Sequence, residues 1–75
     1  MSKSPSEVDV RLWRARRRHD HIDAVLRRDG RAWLLFFFHN DRPMLGWRYP
    51  DDASARAEAA ARLAALQRAG WNVHW

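Results

Sequence analysis

Arginine, tryptophan and histidine carry most of the chemistry available to this chain. Lys3 is the lone lysine among 14 basic residues, so guanidinium groups supply the charge, and these pair with phosphate in a planar fork and stack on rings. The densest run is Arg14, Arg16, Arg17 and Arg18, followed by His19-Asp20-His21. At a turn or a helix end such a run would track a phosphate backbone and make binding salt-dependent, although a solvated turn uses the same residues. On a strand, His19 and His21 share one face with Asp20 and Asp23 nearby, and His39 or His74 would complete a tetrahedral set. No spacing demands a metal, and with no cysteine the expectation is surface histidines, no metal and no cofactor. Ser2, Ser4, Ser6 and Ser54 are terminal or capping residues, a glycine-rich phosphate loop is missing, and Asp41, Asp51 and Asp52 sit where turns and caps want carboxylates. The chain therefore reads as non-enzymatic, with no small-molecule substrate in view.

Seventy-five residues bound what can position these groups: a single small domain over 7–75 behind a flexible N-terminus at 1–6. An apolar share of 47% against 31% charged argues for a folded chain. The longest apolar run, Ala32 to Phe38, is seven residues, far short of the ~20 that cross a bilayer, and no leader is readable. The expectation is a cytoplasmic protein with no membrane association. Of the net charge of +5, residues 1–31 hold +4.

The C-terminal half predicts a helix from Ala53 to Ala69, opened by Asp51 and Asp52, closed by Gly70, with Trp71 folding back on Leu66. Its inward stripe is Ala55, Ala59, Leu63 and Leu66, and Trp71 to Trp75 alternate as a short edge strand would. Ahead of it, Ala32 to His39 and Met44 to Tyr49 read as a hairpin joined by Asn40-Asp41-Arg42-Pro43. The first 30 residues support two readings. Ser4-Pro5-Ser6-Glu7 matches a capping box, and Val8, Leu12, Ala15, His19, Ile22 and Leu26 recur at helical spacing, giving a helix at about 5–28 and an α-β-β-α-β order. The alternation of Val8, Val10, Leu12 and of Ile22, Ala24, Leu26, with a polar turn between and Asp29-Gly30 after, favours two strands instead. The preferred fold is α+β: a four-stranded antiparallel meander with one C-terminal helix packed on one face.

Alternation then divides the strands into two faces. Val8, Val10, Leu12, Ile22, Ala24, Leu26, Leu34, Phe36, Phe38, Leu45, Trp47 and Tyr49 form the expected core. Arg11, Trp13, Arg17, Asp23, Val25, Arg27, Trp33, Leu35, Phe37, Met44 and Arg48 fall on the other face, mixing arginines with rings as nucleic-acid-binding sheets do. The expected nucleic-acid contacts are Arg11, Trp13, Arg14, Arg16, Arg17, Arg18, Arg27 and Arg48. The rival use of that face is a protein interface, a homodimer through Trp33, Leu35 and Phe37, and the two are compatible.

From His21 to Ala69, the element order and the run Arg28-Asp29-Gly30-Arg31-Ala32-Trp33 ahead of the hairpin resemble the sheet-plus-helix DNA-binding domains at the N-termini of some phage integrases. That resemblance implies a DNA-binding sheet. The chain has no recombinase domain and carries an extra N-terminal element, so no residue role is carried over.

Overall fold

Three two-residue turns set the sheet. A computed structural model describes residues 9–73. Expectations for the N-terminal segment, its capping box, Val8, His74 and Trp75 lie outside the described residues. β1 (Asp9–Arg17) and β2 (Asp20–Asp29) are joined through Arg18-His19, with Arg18 in the left-handed region at φ 58°. β3 (Ala32–His39) follows Gly30-Arg31, where Gly30 takes φ 61° at the position a tight hairpin reserves for glycine. β4 (Arg42–Tyr49) follows Asn40-Asp41, both left-handed at φ 51° and 71°, the signature of a type I′ turn. The helical reading of the N-terminal segment is overturned over residues 9–28, because alternation there lets two long strands bury one face each.

α1 (Asp52–Arg68) begins where the Asp51 side chain accepts a hydrogen bond from the Ser54 amide at 2.7 Å. It ends in a left-handed turn at Gly70, φ 100°, with the Trp71 amide donating to the Leu66 carbonyl at 3.0 Å and the Gly70 amide to Gln67 at 3.1 Å. β5 (Asn72–Val73) then pairs with β1, so the antiparallel sheet runs β4-β3-β2-β1-β5 with α1 on one face.

Beneath the helix lie Trp13, Ala15, Ile22, Ala24, Leu26, Leu35 and Phe37, closed over by Ala55, Ala59 and Trp71. The alanines let helix and sheet approach closely, and Trp13 Nε1 donates to the Ala59 carbonyl at 2.9 Å. This corrects the face assignment drawn from alternation. The two-residue turn Gly30-Arg31 pairs Asp29 with Ala32, so even-numbered β2 residues face odd-numbered β3 residues: Ala24 lies opposite Phe37 and Leu26 opposite Leu35. Leu34, Phe36 and Phe38 therefore leave the core and Leu35 and Phe37 enter it. In β1 a bulge at Leu12 switches the phase, so Val10 faces the helix side before it and Trp13 and Ala15 after it. Val10 remains 47% exposed at the sheet margin. A second bulge in β4 brings Met44 to the helix side beside Leu45.

Among the described residues no helix is long and apolar enough to cross a membrane.

Candidate functional site

Among the described residues one helix serves five strands and leaves the second face of the sheet uncovered, and cross-strand pairing arranges its side chains in rows. One row runs Arg11, Val25, Phe36, Gly46; the next runs Asp9, Arg27, Leu34, Arg48; on the other side lies Arg14, Asp23, Phe38, Pro43. At its centre the Phe36 and Phe38 rings stand 6.4 Å apart, tilted by 52°. Both are half-buried, flanked by Val25 and Leu34.

Phe36 also explains the glycine beside it. A Cβ on Gly46 would stand 2.6 Å from Phe36 Cδ1, so the ring lies directly over the backbone of β4. On its other side the Arg27 guanidinium sits 5.4 Å from the Phe36 centroid.

The charges on this face are largely paired. Arg14 grips Asp23 with two hydrogen bonds, Nε to Oδ1 at 2.6 Å and Nη2 to Oδ2 at 2.9 Å. Arg27 holds Asp9 in the same two-pronged way, and Arg48 Nη2 meets Asp29 at 2.9 Å. Asp23 is only 6% exposed. Burial pushes its carboxyl up, but the Arg14 hydrogen bonds and charge, with Arg11 and His21, outweigh this and hold it below the usual carboxylate range. Arg14 and Arg27 are correspondingly raised by the hydrogen bonds they donate to their carboxylates.

The histidines and acids gather where the β1–β2 and β3–β4 turns meet. His21 Nε2 lies 3.3 Å from Asp41, His39 Nε2 lies 3.8 Å from Asp20, and Asn40 donates to Asp20 at 3.0 Å, which lowers the Asp20 carboxyl. Ligand atoms of His21, Asp23 and Asp41 fall within 4.8 Å of one another. Both Asp23 oxygens already serve Arg14, a cation that would repel a metal ion.

The expected contact residues separate into three groups. Arg11, Arg14, Arg16, Arg27 and Arg48 lie on the open face. Arg18 occupies the β1–β2 turn, and Arg17 turns to the helix side, stacked 5.0 Å from Trp71 and donating to the Ala69 carbonyl at 3.1 Å. Trp13 is 5% exposed beneath α1, which corrects its placement on the binding face. The same correction applies to the expected interface: Leu35 and Phe37 are buried, and Trp33 packs against the core on the helix side with Arg28 at 5.1 Å. Alternation held within β2 and β3 but was broken by the bulges in β1 and β4, and relating one strand to the next requires the turn length. Counting two residues between Asp29 and Ala32 would have found Phe36 and Phe38.

No family model, curated protein or solved structure matches this chain, so the layout likeness to the integrase domains has no counterpart there.

Proposed function

We propose that this chain binds single-stranded nucleic acid across the open face of the sheet. The observation that carries the reading is the Phe36–Phe38 pair, two rings in adjacent rows of an uncovered face with arginines around them. Rings on a sheet offer unpaired bases a stacking surface worth ~1–3 kcal/mol per base, which a duplex, with its bases already stacked, does not exploit. Arg16 and Arg18 add positive charge at one end and Arg31 at the other, none with an ion-pair partner among the described residues. The exposed Arg27–Asp9 and Arg48–Asp29 pairs do not block this use. Such surface pairs contribute ~0–1 kcal/mol, so a phosphate can replace the carboxylate at little cost.

Anisotropy titration of labelled single-stranded DNA and RNA of mixed sequence tests the proposal. Micromolar binding that weakens steeply with salt is expected, with the matching duplex bound less well. Phe36→Ala should lower affinity by about tenfold while leaving the salt dependence in place. Failure of both oligonucleotides to bind at low salt would sink the reading.

A further inference from the structure

The helix side of the sheet is incompletely covered. α1 leaves an apolar cavity of about 220 Å³ at the β4 margin, floored by Trp13, Ile22 and Phe37 and bordered by Met44, Leu45 and Leu66. Beside it, Met44 is 51% exposed, Leu45 37% and Trp47 42%, so three of the five exposed large apolar side chains described belong to this one strand. β4 is also an edge, since among the described residues it pairs with β3 alone. At the opposite margin the bulge at Leu12, the charges of Asp9, Arg11 and Arg14, and the short β5 blunt β1. β4 carries Pro43 and a bulge at Met44 toward its start, but from Leu45 to Trp47 it has neither charge nor proline to protect it.

We infer that β4 is a homodimer interface, pairing antiparallel with β4 of a second copy to join the two sheets edge to edge. This inference is independent of the nucleic-acid reading. A two-fold axis through Gly46 sets Leu45 opposite Trp47 of the second copy on the helix side. Facing residues across an antiparallel pair share a face, so Leu45 and Trp47 of both copies close over the open cavity. No like charges face each other along Leu45 to Trp47 in this register. Specific interfaces begin near ~1,000 Å² over both partners, about a tenth of the 5159 Å² surface from each copy, an area an eight-residue edge strand and its side chains can supply.

Sedimentation equilibrium from low to high micromolar concentration should show a monomer–dimer equilibrium. Because each copy carries net charge +5, added salt should tighten the dimer, the opposite of its effect on nucleic-acid binding. Leu45→Lys should shift the protein to monomer, while Phe36→Ala should leave the dimer intact. A cross-link gives a second readout that does not depend on a destabilising change. The chain has no cysteine, so an oxidised mixture of Leu45→Cys and Trp47→Cys chains should form a disulfide-linked dimer that neither variant forms as efficiently alone. A wild type that stays monomeric throughout, or a mixture that cross-links no better than the single variants, overturns the proposal. A dimer broken by Phe36→Ala but not by Leu45→Lys also overturns it, placing the second copy on the open face.

Discussion

Asp23 is a buried carboxylate kept ionised by one arginine on the neighbouring strand. Removing its charge leaves Arg14 without its two-pronged acceptor, and hydrogen bonds to charged groups are worth ~1.5–3 kcal/mol. Asp23→Asn should therefore cost about 2 kcal/mol near neutral pH in denaturant unfolding. The folded carboxyl lies below its ordinary value of about 3.9, so the contribution is complete above that pH and disappears as pH falls through the lower folded value. The gap between wild type and Asp23→Asn should accordingly close under acid conditions. An unchanged gap from neutral pH to roughly pH 2 would show that Arg14 does not depend on the ionised carboxylate.

At the scale of elements, turns and bulges decide which side chains meet. Gly46 shows the coupling between neighbouring strands, because the ring that fills the space over it comes from β3. Gly46→Ala should destabilise by about 1–3 kcal/mol by forcing Phe36 aside. In a Phe36→Ala background the same change should be near neutral, a positive coupling that a double-mutant cycle in thermal unfolding measures. Additive effects would mean the ring does not occupy that space. The helix was the most legible element: Asp51, the alanine stretch, Gly70 and Trp71 lie where local capping chemistry places them. β3 was legible in its bounds, Ala32–His39, but not in its face. Its apolar run offers no alternation to read, and its orientation is inherited from the Gly30-Arg31 turn.

For the whole molecule, charge and stability pull against each other at Arg18. A non-glycine residue at φ 58° costs ~1–2 kcal/mol, and here that cost accompanies a cation in the basic turn. Arg18→Gly should raise the melting temperature by several degrees and, under the nucleic-acid proposal, reduce the log–log salt slope by about 0.7, the share of one single-strand phosphate contact. A stabilised variant with an unchanged slope would remove Arg18 from the binding surface while leaving Phe36 and Phe38 in it.

The sequence by itself determined the class: one small α+β unit, its helix limits, the β3–β4 hairpin and its concentration of arginine toward the N-terminus, while the N-terminal segment stayed open between one helix and two strands. These follow from local propensity, capping and turn chemistry, each contained within a few residues. The tertiary structure decided which rings are buried and which are offered to a partner. Trp13, Leu35 and Phe37 lie under α1, and Phe36 and Phe38 face out, because one two-residue turn and one bulge set the phase of each strand against the next. A single-residue change in register moves a whole strand's side chains to the opposite face, so this choice belongs to the pairing of strands rather than to any strand alone.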